Sequence, residues 1–383
     1  MAPRASALYC GPGSRCACRG PHQESTTGAA VAQDARARTV TMLDVARRAG
    51  VSRALVSIVF RDAPGASDAT RERVRAAAAE LGYRPDQRAR LLGRHRTRTV
   101  GVVFGLHREF HGQVVEDLYR AAEGSGYELA LGASAPSRGE AQAARALLDY
   151  RCEALVLLGP TLSVAALEDL AAAVPVVVVA RAVRSSAVDV VRTDDVAGAR
   201  MATDHLLDLG HTAVAHVDGG RAPGAAERRR GYRAALAARG LSAGARVVPG
   251  GLDEASGEVA AAALLDGRPT VTAVTAFNDH CATGLLFAAR ARGSSVPGHL
   301  SLVGYDDSAV ARLGSVQLTT VAQDSPALAT AALGLALRRL EDGPSTPNGD
   351  GVRDRGRGGD SGGRREVVVP PRLVVRGTTA PPR

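Results

Sequence analysis

The chain has 383 residues, and its 48 basic side chains, all arginine, give a formal net charge of +9. That length buries a large core and predicts two or three domains. No apolar run is long enough to span a bilayer and the N-terminus lacks the apolar core of a signal peptide, which argues against membrane-embedded and secreted classes and predicts a cytoplasmic protein. The absence of lysine, with abundant alanine, reflects the coding bias of a GC-rich genome rather than 48 chosen guanidinium sites.

Residues 1–39 are poor in aliphatic side chains and rich in Gly, Ala, Ser and Arg, so a disordered extension is expected there. Cys10, Cys16, Cys18 and His22 are spaced C-x5-C-x-C-x3-H, which matches no common zinc template, so no metal and no other cofactor is expected. Cys152 and Cys281 fall inside strand and helix patterns and read as small buried hydrophobes.

Residues 40–85 read as a small helical head. Thr41 caps a helix in which Leu43, Val45, Ala46 and Ala49 form an apolar stripe, with Asp44 favouring its N-terminus. Gly50 permits the turn, Ser52 caps a second helix, and Leu55, Val56 and Val59 face the first. Ser67 opens a third helix that packs Val74, Ala77, Ala78 and Leu81 inward. Residues 39–98 hold thirteen Arg against six acidic residues, a net of +7. Most of the charge excess thus sits on one small helix-turn-helix, the footprint of a phosphate-binding surface. Pro85 then stops the third helix, and residues 86–98, DQRARLLGRHR onward, read by themselves as an Arg-rich linker.

From Thr99 to 342 apolar strands alternate with amphipathic helices. Strands are predicted at 100–105, 127–132, 154–158, 174–180, 188–192, 212–217, 272–277 and 300–305, and helices at 140–149, 197–209, 225–239 and 280–292. Near-continuous Val and Leu strands separated by helices mean parallel sheets covered on both faces, and this many units exceed one small sheet. Residues 343–365 are Gly, Pro, Asp and Arg with almost no apolar side chain, a flexible insertion. Residues 366–383 re-enter order with one final strand. The glycine pattern after the first strand is G-x-x-x-G, neither a Walker loop nor a dinucleotide fingerprint. With no G-x-S-x-G, no metal-spaced His pair and no paired carboxylates, no catalytic residues are expected.

Several blocks carry a resemblance: TMLDVARRAGVS, Val56-Ser57, SDATRERV, LGYRP and ARLL, then HLLDLGH, GYRAAL, FND, VPGHLSLVGYDD, LTTV and LVVRGTTAP. In this order and spacing they are similar to the lactose-repressor (LacI/GalR) family of bacterial transcription regulators, from Val40 to Pro381. The resemblance implies an all-α helix-turn-helix head and an α/β body of two lobes, like periplasmic sugar-binding proteins. It implies base reading by Arg53, Ala54 and Ile58 in the major groove, with Thr41, Ser52, Ser57, Arg61 and Ser67 capping helices or touching DNA. Within the linker it implies a hinge helix in which Ala89 allows close pairing and Leu92 wedges open a minor-groove step. Ile58, Arg61 and Leu55 stand where the family commonly has Arg, Asn and Thr, so the operator need not match the common half-site.

For the body the resemblance places Phe110, Arg228, Asn278 and Asp306 around an effector. Arg229 and Arg230 are expected to be solvated, Asp279 and Asp307 to cap helices, and Phe277 and Phe287 to be core. The loop GLHREFH departs from the family's D-x-S-N-P-F-F, Ala180 replaces a common Asp, and there is no Trp. The function implied is a homodimeric DNA-binding regulator, most simply a repressor of a pseudo-palindromic operator controlled by a small carbohydrate, in the nucleoid-containing cytoplasm. A family member with a non-sugar effector or none is the alternative. A solute-binding protein is more distant, since it would carry a secretion signal and no DNA head.

Overall fold

Three short helices build the head: α1 (Met42–Ala49), α2 (Arg53–Phe60) and α3 (Asp68–Glu80). Thr41 and Asp44 form a reciprocal capping box at the start of α1, each side chain accepting the other's backbone N–H. Gly50 ends α1 in the left-handed region (φ 66°), which a residue with a Cβ resists. Ser52 Oγ accepts the Leu55 N–H at 3.2 Å and starts α2. Val45, Ala46, Ala49, Val56, Val59, Val74, Ala77 and Ala78 form the head's core. Leu43, expected in that stripe, is 46% exposed. Met42 packs there instead, because 42, 45, 46 and 49 share one helical face and 43 lies a fifth of a turn or more away from it. Ser67 sits at the N-cap of α3, but its hydroxyl pairs with Thr70 Oγ1 rather than with a backbone N–H.

The computed structural model describes residues 40–60, 62–83, 96–266, 271–342 and 364–383. The chain forms two units with a boundary between Leu92 and Gly93. The N-terminal extension with its Cys10, Cys16, Cys18 and His22, Arg61, the hinge residues Ala89 and Leu92, and the insertion up to 363 lie outside the described residues.

The second unit contains two six-stranded sheets. In the first, β1 (Thr99–Gly105), β2 (Glu128–Ser134), β3 (Ala154–Leu158), β4 (Val176–Val179), β5 (Asp189–Thr193) and β11 (Glu366–Val369) run in the order β11-β5-β4-β3-β1-β2, all parallel. Alternate residues serve opposite faces. Val100, Val102, Val156, Leu158, Val177 and Val179 pack on α4 (Glu109–Ala122) and α12 (Ser325–Asp342). Val103, Leu155, Leu157, Val176 and Val178 pack on α5 (Glu140–Asp149) and α6 (Val164–Ala171). With both faces covered the strand sequence has no polar alternation, and each fully buried side chain contributes about 1.5–3 kcal/mol of transfer free energy.

The second sheet holds β6 (Val214–Asp218), β7 (Arg246–Pro249), β8 (Ala273–Ala276), β9 (Ser301–Asp306), β10 (Thr319–Ala322) and β12 (Arg372–Val374), in the order β12-β10-β9-β8-β6-β7. It packs α7 (Asp195–Asp208) and α8 (Ala225–Ala238) on one face. On the other lie α9 (Glu254–Leu265), α10 (Asp279–Ala291) and the single turn α11 (Ala309–Arg312). The single final strand expected after residue 366 is two strands, because Pro370-Pro371 interrupts pairing and sends the chain to the other sheet. There β12 runs antiparallel to β10, the exception to the all-parallel expectation. The edge strand β7 was not expected. Cys152 lies in the turn ahead of β3 rather than in a strand, and both it and Cys281 are buried free thiols. No helix among the described residues is long and apolar enough to cross a membrane.

The chain passes between the two sheets at 193–195, 322–325 and 369–372. Each sheet reverses its strand order beside its first strand, at β1/β3 and at β6/β8. In open α/β sheets the crevice beyond the carboxyl ends of such strands is where ligands sit.

Candidate functional site

A cleft with about 680 Å³ of atom-free space, its mouth included, lies at those strand ends. The first lobe supplies the loop after β1 with the start of α4, together with Gly159 and Ala180 after β3 and β4. The second supplies Asp195, Arg228, Phe277, Asn278, His280, Asp306 and Ser308, and the crossing segment supplies Gln323.

Arg228 is the centre of the second lobe's wall. Only 6% exposed, it stands on α8 in the same stripe as Ala225, Tyr232 and Ala235, so its helix faces it into the protein. Its Nε donates to Asp195 Oδ1 at 2.8 Å and one terminal nitrogen donates to the Phe277 carbonyl at 2.5 Å. Its guanidinium lies 3.5 Å from the Tyr305 ring centroid and 4.6 Å from that of Phe277. Burial opposes its charge, but Asp195, with Tyr305 and Asp306, more than restores it and holds the guanidinium above its ordinary range. Asp306 is pushed up to about 6 by burial, against the pull of Arg228. It accepts from Gln323 Nε2 at 2.7 Å, while Gln323 Oε1 accepts from Thr193 Oγ1 at 2.6 Å. One amide thus links a carboxylate at the end of β9 to a hydroxyl at the end of β5, across the lobes.

A second link is charged. His280 Nδ1 meets Glu254 Oε1 at 2.6 Å and its Nε2 meets Glu109 Oε2 at 2.9 Å. The other oxygen of Glu109 accepts the Ala309 N–H at 2.7 Å. Glu109 starts α4 of the first lobe, whereas its partners belong to the second. Burial lowers the His280 pKa, but Glu254 and then Glu109 outweigh it and raise the value. A raised histidine contributes stability that is full below its unfolded pKa of about 6.5 and is lost as pH rises through the folded value. The stability gap between the parent and His280→Gln should therefore shrink steadily in urea titrations taken from pH 6 to pH 9. A gap that is constant or widens with pH would show that the imidazolium is not what holds the two carboxylates.

In the head, Ser52, Arg53 and Ala54 are exposed at the N-terminus of α2, while Val56 and Val59 face the core. Thr41 and Ser67 are exposed, and Ser57 and Ile58 are half-buried. Not every arginine of the head is available to a phosphate. Arg71 donates to Asp62 and to the carbonyls of Ala63 and Ala66, fastening the α2–α3 loop. Arg48 pairs with Glu80 at 2.7 Å and ties α1 to α3. Arg53 and Arg73 remain exposed.

Residues 41–86 match the family model described as bacterial regulatory proteins, lacI family, and residues 203–379 match a periplasmic binding protein-like domain. The HTH-type transcriptional regulator GalR of Escherichia coli (strain K12) is 37% identical over 309 residues, 79% of this chain and 90% of its own. The chain belongs to the LacI/GalR family of DNA-binding transcriptional regulators. It is accordingly a regulator rather than an enzyme. Among solved structures, the lac repressor dimer bound to operator and the anti-inducer ONPF is 26% identical with a TM-score of 0.74 and covers 90% of this chain and 100% of its own. The complex of the regulator CelR with cellobiose is 28% identical with a TM-score of 0.62, covering 88% and 99% respectively.

In this LacI/GalR-family chain Phe110, Arg228, Asn278 and Asp306 all line one cleft. Asn278 is also a structural residue, because its Oδ1 accepts the Cys281 N–H and its Nδ2 donates to the Leu252 carbonyl. It is therefore Asn278, not Asp279, that caps α10. Asp279 is fully buried and accepts from the Ser308 N–H and the Thr320 hydroxyl; burial and Asp306 push it up to about 7. Asp307 caps nothing either, since Ser308 holds the N-cap of α11; it accepts from Arg312 and Arg376 instead. Phe277 is buried as expected and also lines the cleft. Phe287 is 47% exposed, because 285, 286, 288 and 289 take the inner faces of α10. Arg229 is half-buried and paired with Asp218, whereas Arg230 is exposed. Sequence reasoning missed Arg108, Glu109, His111, Asp195, His280 and Gln323. All but Gln323 are charged or imidazole side chains close to strand ends, and that was the available signal.

Proposed function

We propose that the protein is a homodimeric repressor whose affinity for a pseudo-palindromic operator is set by a small carbohydrate bound between the lobes of residues 99–342, the terminal segment after 366 completing both sheets. The observation that carries this reading is the cleft itself. Arg228, Asp306, Asn278 and Gln323 present paired donors and acceptors suited to vicinal hydroxyls, at the point where the chain crosses between the lobes. A ligand that prefers one lobe arrangement shifts the equilibrium by its difference in affinity and passes that shift to residues 86–98. The lac repressor complex with operator and the CelR complex with cellobiose support the two halves of the reading. The exposed Val259 and Phe287 on the packed helices α9 and α10 fit a second copy of the chain. A regulator of this kind works where the DNA is, in the cytoplasm.

On this reading α2 enters the major groove with Ser52, Arg53 and Ala54 leading, Ser57 and Ile58 beside them, and Thr41 and Ser67 near phosphates; Arg61, Ala89 and Leu92 complete the contacts. Arg53 is the exposed residue whose fork pairs with guanine O6 and N7, worth about 1–3 kcal/mol of discrimination. Selection of sites from random duplex DNA at fixed salt should yield a palindrome. Arg53→Ala should weaken binding to it about 5- to 100-fold while relaxing base preference at one position per half-site. A uniform loss across all sequences would reduce Arg53 to a phosphate contact, and no enrichment would refute sequence-specific reading by the isolated protein.

A further inference from the structure

We propose that the effector carries an anionic group, a phosphate or a carboxylate, which seats against Arg108 and His111 at the N-terminus of α4. This deepens the carbohydrate reading and rests on it: the ligand class becomes an acidic rather than a neutral sugar.

The other charges of the cleft are matched. Arg228 holds Asp195, His280 lies between Glu109 and Glu254, and Glu140 accepts the N–H groups of Thr161 and Leu162. Arg108 is the exception. It lines the cleft half-buried, and among the described residues it has no hydrogen-bond partner and no carboxylate within 4 Å. Burial lowers its pKa, and Glu140 and Asp306 act on it only from a distance. A guanidinium withdrawn from water without a counter-charge is unfavourable unless a ligand brings one.

His111 points to the same chemistry by a different route. It is 8% exposed, and its Nδ1 accepts the Gly105 N–H at 3.0 Å. That nitrogen therefore carries no proton, and the neutral ring carries its hydrogen on Nε2. Burial, with Arg108 beside it, pushes His111 down to about 3, so the ring stays neutral through the physiological range. Nε2 abuts the cleft residues Gly159 and Pro223 and has no partner among the described residues, so it is a fixed donor without an acceptor. Gly105 makes the arrangement fit: a Cβ there would lie 2.9 Å from Arg108 Cγ and 3.4 Å from His111 Nδ1.

The start of α4 adds further donors. Arg108 is its N-cap without a side-chain cap, and the N–H groups of Glu109, Phe110 and His111 have no acceptor among the described residues. A helix N-terminus of this length favours an anion through its free N–H groups and its dipole. Across the cleft the Ser308 hydroxyl is 2% exposed and also unpartnered. Donors gather at one end of the cleft, while Asp306 and Gln323 at the other suit hydroxyls.

The test titrates the purified full chain by calorimetry with matched probes, namely galactose, galactose 6-phosphate and galacturonate, the same three forms of glucose, and inorganic phosphate alone. We expect an acidic member to bind at least tenfold tighter than its neutral partner, with the phosphate and carboxylate arms telling the two anions apart. Arg108→Gln should remove that preference and leave the neutral partner within twofold, whereas Arg108→Lys should restore part of it. Circular dichroism checks that each variant folds. Equal or tighter binding of the neutral sugars would overturn this inference and leave the carbohydrate reading standing. Binding by none of the probes, inorganic phosphate included, would overturn both.

Discussion

Replacing Arg228 by Met is expected to cost the body about 3–5 kcal/mol of stability, because one partner of a buried ion pair is left uncompensated. Asp195 would keep its carboxylate in an environment with almost no water, and the Phe277 carbonyl would lose its donor. The penalty is limited by protonation. Without Arg228 the folded pKa of Asp195 rises, so the deficit is absent below the unfolded value of about 3.9 and grows with pH up to the folded value. Urea denaturation followed by circular dichroism should thus show a larger loss at pH 8 than at pH 5. Adding Asp195→Leu to Arg228→Met should return most of the stability, since a buried pair replaced by apolar groups is often close to neutral. The double variant should nonetheless bind no effector. A single variant that loses less than about 1 kcal/mol, within the range of exposed pairs, would mean that water reaches Asp195.

The burial of Arg228 was open to a reading of the helix alone. In the run Arg228-Arg229-Arg230 only the first falls on the face that holds Ala225, Tyr232 and Ala235, so helical spacing separates it from the exposed Arg230. The sheets were equally legible, because parallel strands buried on both faces leave runs such as ALVLL with no polar interruption. The head was legible through its caps, Thr41, Gly50 and Ser52, each a local rule of backbone chemistry. Tertiary events were not. Strand β7 reads RVVP, its proline is tolerated only because the strand is an edge, and nothing local announces that edge. The two strands around Pro370-Pro371 are short, and which sheet each joins is decided by the packing of distant elements. The loop GLHREFH looked like a loss relative to the family. Its meaning lies in the direction of His111 Nε2 and the isolation of Arg108, and both depend on where α4 meets the second lobe.

Helix packing beneath the cleft yields the other large expected effect. Helices α9 and α10 meet through two glycines: a Cβ on Gly284 would lie 1.9 Å from the Glu254 carbonyl oxygen, and one on Gly257 would lie 2.0 Å from that of Cys281. Both obstacles are backbone, so no side chain can swing aside, and Gly284→Ala must push the helices apart. Two effects of opposite sign compete. Alanine in a helix interior is favoured over glycine by about 1 kcal/mol. Overpacking at a backbone contact costs about 1–3 kcal/mol, occasionally more, and the closeness here puts it at the upper end. The net expectation is a loss of about 2 kcal/mol or more. Gly112→Ala supplies the control: it sits exposed in α4 with nothing within 4 Å of a new Cβ, so only the favourable effect operates and stability should rise by up to about 1 kcal/mol. The damage from Gly284→Ala should also travel. Glu254 belongs to the backbone that is displaced and its carboxylate holds His280, so the rise in stability toward low pH contributed by His280 should flatten in this variant and persist in Gly112→Ala. If Gly284→Ala is instead as stable as Gly112→Ala, the helices are not in contact there, and the link from α9 through His280 to Glu109 on the first lobe fails with them.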